Sequence, residues 1–338
     1  MLKHALIVSI VLAGVADRLE AITIDTVPVG NAGNGNDSQS FFLYGGVAYG
    51  YRIGTTEVTN AQYVDFLNAK AASDPFALYN ANMGSNARGG ITQSGVSGSF
   101  VYAAKTDMGN KPVNFVSWYD SIRFANWLNN GQGTGSTETG AYTIFGNTAT
   151  PSNGLSITRN AGATWFLTSE NEWYKAAYHQ PVAQGGDAGD YWLYPTRSNS
   201  DPTAATANSS GDISNPATNV ANYLDIADWN SQNGNVTTVG SAGPLSESFY
   251  GTSDQGGNVA EWNEALVAGS SRVVRGGSWD DTWYEMQAVP GGYAAPTGEN
   301  ARIGFRVATV PEPSSFVLAA LGLVGLVVWR RKKRHNSG

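Results

Sequence analysis

The chain has 338 residues, no cysteine, only 14% charged residues and a formal net charge of −7. An acidic balance argues against a nucleic-acid partner, which needs a surplus of cations. The absence of cysteine removes disulfides and thiolate chemistry together.

Residues 1–21 have the three-part layout of a secretory signal peptide: Lys3 and His4, an apolar stretch over 5–16, then small residues at Gly14, Ala16 and Ala21. Cleavage by signal peptidase after Ala16 and after Ala21 are both readable. Three short helices are then predicted, each from a side-chain cap with a reciprocal partner three residues on. Thr59 with Gln62 opens 61–68, Ser117 with Asp120 opens 118–129, and Ser169 with Glu172 opens 170–178. In the second, Trp118, Ile122, Ala125 and Leu128 share one face, which predicts core. Short strands are expected over 48–53, 91–93 with 100–102 as a hairpin, 164–167, 272–275 and 303–307. Residues 184–257 are almost wholly Gly, Asn, Asp, Ser and Thr, interrupted by Trp192, Tyr194, Tyr223, Trp229 and Tyr250, a pattern that predicts an ordered loop layer.

The end of the chain runs Val310-Pro311-Glu312-Pro313, then an apolar stretch over 316–329, then Arg330-Arg331-Lys332-Lys333-Arg334. As a helix, that stretch is thin for a hydrocarbon core of about 30 Å, though 314–315 can lengthen it to a transmembrane segment over 314–329. The cations would stay cytoplasmic, leaving everything before Val310 outside. A plain single-pass anchor is the alternative; a buried core helix would not normally end in five consecutive cations. The order resembles the PEP-CTERM sorting signal, here 310–334, which implies passage through the inner membrane, cleavage near Pro311 to Pro313 by an exosortase, and delivery to the cell surface or extracellular matrix.

Between these ends lie Tyr51-Arg52-Ile53-Gly54-Thr55-Thr56-Glu57-Val58-Thr59-Asn60, Pro112-Val113-Asn114-Phe115-Val116-Ser117-Trp118, Phe166-Leu167-Thr168-Ser169-Glu170-Asn171-Glu172-Trp173, Gly257-Asn258-Val259-Ala260-Glu261-Trp262, Arg275-Gly276-Gly277-Ser278-Trp279 and Gly304-Phe305-Arg306-Val307. In this order they resemble the sulfatase-modifying factor domain of the formylglycine-generating enzyme family, placed at 22–309. The resemblance implies an α+β domain with a C-type-lectin-like core, loop-rich with short helices and short strands. It does not by itself imply the activity.

The chemistry departs from the family. The resemblance implies a cysteine pair that binds copper and activates oxygen; the corresponding positions are Asp281 and Met286. Neither a carboxylate nor a thioether replaces a thiolate as both copper(I) ligand and redox group. A second branch of the fold uses histidine-ligated iron, but His179 alone remains once both ends are removed, and a lone histidine reads as a surface or packing residue rather than a metal ligand. The arginine-rich segment that follows the cysteines has become Gln287-Ala288-Val289-Pro290. No copper or iron is therefore expected. Calcium fares better: the resemblance implies one site at Asp254, Gly257, Val259 and Glu261, and a second at Asn222, Tyr223, Asn233 and Asn235, where Asn233 replaces a usual aspartate. Glu57, Glu172 and Glu261 do not read as general acids, since two of them sit in capping or strand-edge contexts and no nucleophile is near in sequence, and Arg275 and Arg306 read as partners of buried carbonyls or carboxylates.

Two functions follow from this reading. One is an exported, non-catalytic domain acting as a structural or binding module, with extracellular polysaccharide as a candidate partner. The other is an enzyme of the family working through other residues.

Overall fold

Each predicted helix starts where its capping pair places it. In a computed structural model that describes residues 21–39, 43–288 and 291–310, α1 spans Asn60–Lys70, α2 Ala81–Ser85, α3 Trp118–Asn129 and α4 Glu170–Tyr178. The reciprocal bonds of Thr59 with Gln62, Ser117 with Asp120 and Ser169 with Glu172 are all formed, which satisfies N–H groups that a helix start would otherwise leave bare. Apart from Ala21, the signal-peptide layout lies outside the described residues, as does the tail from Pro311 with its segment 314–329. Among the described residues, no helix is long and apolar enough to cross a membrane.

The strands are β1 (Thr26–Val29), β2 (Tyr51–Gly54), β3 (Ile91–Ser94), β4 (Val101–Ala104), β5 (Trp165–Leu167), β6 (Thr203–Ala204), β7 (Val220–Ala221), β8 (Ala260–Val267), β9 (Ser271–Arg275), β10 (Gly292–Ala294), β11 (Ile303–Phe305) and β12 (Val307–Thr309). They build two four-stranded sheets, ordered β1-β2-β12-β5 and β10-β9-β8-β11, with β3-β4 and β6-β7 as separate pairs. The predicted single strand over 303–307 is thus two strands in two sheets. The chain crosses between them at Arg306, whose buried side chain cannot lie in either apolar face and turns instead to polar partners. The sequence reading did not identify β8, the longest described strand, whose alternation is masked because Ala260 to Asn263 are all buried.

Helix α3 packs on β5 and β8 and is buried from Trp118 to Leu128, so its inward face extends well beyond the predicted stripe. Phe124 meets Phe66 of α1 and Phe305 of β11 at ring-centroid separations of 5.4 and 5.3 Å, edge to face. Its polar residues are satisfied from loops: Arg123 pairs with Glu138 at 2.8 Å and bonds the carbonyls of Thr148 and Ala149, while Asn126 bonds those of Thr137 and Tyr142. The loop layer over 184–257 is ordered by its aromatics as expected, with Tyr194, Tyr223 and Trp229 buried in its small clusters.

Asp120, the capping partner in α3, is buried beside Glu299, with Asp74, Arg123 and Tyr63 around the pair. Burial first, and then Glu299, pushes the Asp120 carboxyl from its ordinary 3.8 up to about 8. The folded state therefore holds a proton that the unfolded chain has released, so stability falls as pH rises between those values and levels off above about 8. Asp120→Asn keeps an oxygen for Ser117 and gives Glu299 a permanent donor. At pH 8.5 its melting temperature should exceed that of the wild type, by on the order of 2 kcal/mol in stability, and the gap should close as pH falls to about 4. Parallel pH profiles for the two proteins would show that this pair does not share a proton.

Candidate functional site

The segment after β9 bears the positions where the resemblance implies a reactive cysteine pair. Asp281 lines a cavity of about 310 Å³ together with Gly277, Tyr284, Glu285, Gly291 and Gly292. Ser278 fixes its carboxylate, donating to Oδ2 from the backbone N–H at 2.9 Å and from Oγ at 2.7 Å. Burial raises the Asp281 pKa above the ordinary carboxylate value. Met286 does not share the cavity wall: it is fully buried in an apolar cluster with Tyr194, Ala221 and Tyr223. One of the two positions thus faces solvent-accessible space while the other is packing.

The neighbouring charged groups are committed to each other. Arg275 of β9 pairs with Glu170 of α4 and lies over the rings of Tyr44 and Tyr174, at 5.0 and 5.2 Å from their centroids. Glu172 accepts from Arg159 and Tyr49 while closing its capping box. Both arginine expectations hold, since Arg306 also binds carbonyls and a carboxylate. His179 is buried, with Nδ1 2.7 Å from the Tyr250 hydroxyl, and burial with Lys175 nearby lowers its pKa to about 4. It packs as a neutral ring. Among the described residues, no group of three or more His, Asp or Glu side chains is close enough to hold a metal ion by itself.

The first expected calcium segment is a tight loop in which Asp254, Gly257 and Asn258 all have positive φ, at 59°, 83° and 60°. Left-handed backbone at two non-glycine residues costs of order 1 kcal/mol each and persists only where surroundings impose it. Asp254 Oδ2 accepts from Gly240 N at 2.6 Å, and burial pushes this carboxyl up to about 6. Glu261 is engaged elsewhere: its two oxygens accept from Arg306 Nε and Nη2 at 2.7 and 2.6 Å, and Oε2 also accepts from Trp173 Nε1. The residue that the sequence reading considered as a general acid but not as a cation ligand is Glu57. It is 1% exposed, and neither oxygen has a hydrogen-bond partner among the described residues. Burial, with Asp254 next, holds its pKa well above the ordinary value, and Arg306 only partly offsets them. An orphaned buried carboxyl beside a second one is what a hard cation with oxygen ligands would satisfy. Only the spatial approach of the 54–57 segment to Ser253, whose N–H bonds Thr55 O, could have revealed it.

At the second expected segment, Asn222 and Asn235 come together: Asn222 Nδ2 donates to Asn235 O at 2.8 Å, while Asn222 Oδ1 and Asn235 Nδ2 have no partner among the described residues. Tyr223 is buried and its hydroxyl bonds Pro202 O. Asn233 stands apart on the surface, and its carbonyl accepts from Arg88 Nη2 at 2.7 Å while Arg88 Nε bonds Gly234 O. A guanidinium already occupies the oxygens that this loop offers, so the second segment fits a cation less well than the first.

With this geometry in hand, residues 23–310 match the model of the sulfatase-modifying factor enzyme 1-like domain, and residues 309–332 match the PEP-CTERM protein-sorting motif. Among curated proteins there is no match. Two solved structures are similar in fold. CarF is 22% identical, with 86% of this chain and 100% of that one covered and a TM-score of 0.53. Treponema denticola variable protein 1 is 18% identical, with 87% and 98% covered and a TM-score of 0.51. At these identities the likeness establishes the fold alone, which is the expected α+β, C-type-lectin-like one.

Proposed function

Because the chain belongs to the sulfatase-modifying factor family and carries a PEP-CTERM motif that marks it for export and exosortase-dependent processing, we propose that it is a non-catalytic member acting as a structural or binding module at the cell surface or in the extracellular matrix. The observation that carries this reading is the pair of substituted positions, one a carboxylate fixed by Ser278 and the other a buried thioether. Neither can bind copper(I) as a thiolate, and no cysteine elsewhere in the chain can take over. An enzyme of the family working through other residues is the second reading. It has Asp281 in its favour, as the one substituted position that lines a cavity. In the proposed layout residues 1–21 are a signal peptide, 22–309 the domain and 310–334 the sorting signal, with extracellular polysaccharide as a partner.

The same proposal places a structural calcium ion at the Asp254 loop, held by Asp254 with the carbonyls of Gly257 and Val259. Glu57 would add the charge that Glu261, committed to Arg306, cannot supply freely. The ion would neutralise two buried carboxylates and hold a strained loop. Asn222, Tyr223, Asn233 and Asn235 remain as a weaker second site.

Supplied with copper and oxygen, the mature protein should leave the cysteine of a sulfatase-derived peptide unmodified, with no mass change above a no-enzyme control. Turnover would transfer the assignment to the enzymatic reading. For calcium, saturation at a hundredfold excess over Kd should stabilise the fold by about 2.7 kcal/mol, seen as a melting temperature that a chelator lowers. Glu57→Gln should abolish that response. A wild-type melting curve indifferent to the chelator would leave Glu57 as a buried neutral acid. The tail is decided by intact mass in the native host: the mature protein should end near Pro311 to Pro313, and replacing Pro311, Glu312 and Pro313 by alanine should leave a full-length membrane form. A wild-type species that retains Arg330 to Arg334 would instead be a simple membrane anchor.

A further inference from the structure

We propose that the cavity beside Asp281 is a subsite for one pyranose ring of a neutral or amino-bearing glycan, an assignment that rests on reading the domain as a binding module. Its volume of about 310 Å³ is at the small end of ligand pockets, suited to a single sugar ring rather than a folded segment of protein.

The wall is an aromatic ring held out in water. Tyr284 is 54% exposed and lines the cavity, and Trp283, 40% exposed, stands edge-on to it at 6.1 Å. Exposing two large rings forgoes their burial, yet the backbone beneath them is pinned at both ends. Thr282 and Glu285 form a reciprocal capping box around this single turn, and Met286 anchors its far end in the core. An exposed ring on a fixed turn offers a flat apolar face, which suits the C–H face of a pyranose.

The floor is backbone. A Cβ at Gly277, where φ is +68°, would lie 3.0 Å from Glu285 Cβ, and one at Gly291 would lie 2.5 Å from Val274 O, so both positions require glycine. The missing Cβ directions face the protein's own atoms, so glycine at both positions lets the segments that frame the cavity pack closely against each other.

The polar groups select hydrogen-bond donors. Each carboxylate at the cavity is oriented through one oxygen: Asp281 Oδ2 by Ser278, and Glu285 Oε2 by Thr282 N and Oγ1 at 3.0 and 2.6 Å. Asp281 Oδ1 and Glu285 Oε1 accept nothing among the described residues. Ionised carboxylates only accept, and bonds from hydroxyl or ammonium donors to them are charge-assisted. Among the described residues no cation lines the cavity, and the nearby Asp280 is already paired with Arg302 at 2.5 Å. A uronic or sulfated sugar would meet uncompensated negative charge here, whereas a hydroxyl-rich or amino sugar supplies the donors the site lacks.

The test is calorimetric titration of the mature protein with three probes: a glucose tetrasaccharide, a glucosamine tetrasaccharide and a galacturonate tetrasaccharide. At least one of the first two should bind, and the galacturonate probe should not. Tyr284→Ala should weaken binding about tenfold or more through loss of the stacking face, and Asp281→Asn should weaken it as well. Phe145→Ala, which removes an exposed ring outside the cavity lining, should change nothing. Melting curves establish that each variant is folded. Binding unaffected by Tyr284→Ala, equal binding of the galacturonate probe, or no binding of either donor-rich probe would each overturn the assignment. Peptide turnover and the mature mass test the non-catalytic exported module independently, so a failure here is separable from a failure there.

Discussion

The buried fork between Arg306 and Glu261 is the interaction on which the rest of the molecule depends. Arg306 sits where the chain leaves one sheet for the other, Glu261 lies on the longest described strand, and the same guanidinium binds the carbonyls of Gly54, Thr55 and Ser253. One side chain thereby ties both sheets to the loop that carries Asp254. Two charges out of water are tolerated because every N–H of the fork and both carboxylate oxygens have partners; removing one member of such a pair typically costs about 3–5 kcal/mol. The arrangement also engages both oxygens of Glu261. A carboxylate that satisfies a fully buried arginine and Trp173 at once is structural before it is anything else.

The same device recurs wherever a long loop needs fixing. Arg159 joins Glu172 to Glu264 and lies 3.6 Å from the centroid of Phe166; Arg272 lies 3.7 Å from that of Trp118 while donating to loop carbonyls; Arg123 gathers Glu138, Thr148 and Ala149. In a chain without cysteine these planar donors act as cross-links, because a guanidinium offers five N–H groups and can bind several distant carbonyls at once. Several buried polar atoms among the described residues lack a partner, but Glu57 is the one carboxyl among them with both oxygens bare, and for that reason it marks where an additional ligand would matter most.

The family fold persists here while its reactive positions have been put to other uses. Asp281 precedes the turn that ends at Met286, yet the first lines a cavity and the second closes a hydrophobic cluster. Function follows from such side chains, not from the sheets beneath them. The cavity beside Asp281, lined by Tyr284 and Glu285, stands where the resemblance implies the family's reactive pair.

The sequence by itself determined what acts over three or four residues. The capping pairs at Thr59, Ser117 and Ser169 specified three helix starts, and the apolar positions of the second helix named part of its buried face. Composition excluded thiolate chemistry, and the order of motifs carried the fold class and the sorting tail. Other features depended on partners far apart in the chain. Only the tertiary structure divided 303–307 between two sheets, because the division is made by Arg306 reaching Gly54, 252 residues away. Only it engaged Glu261 with Arg306 and left both Glu57 oxygens without a hydrogen-bond partner among the described residues. Burial and the competition for one guanidinium are properties of packed neighbours, and no local pattern encodes which carboxylate wins it.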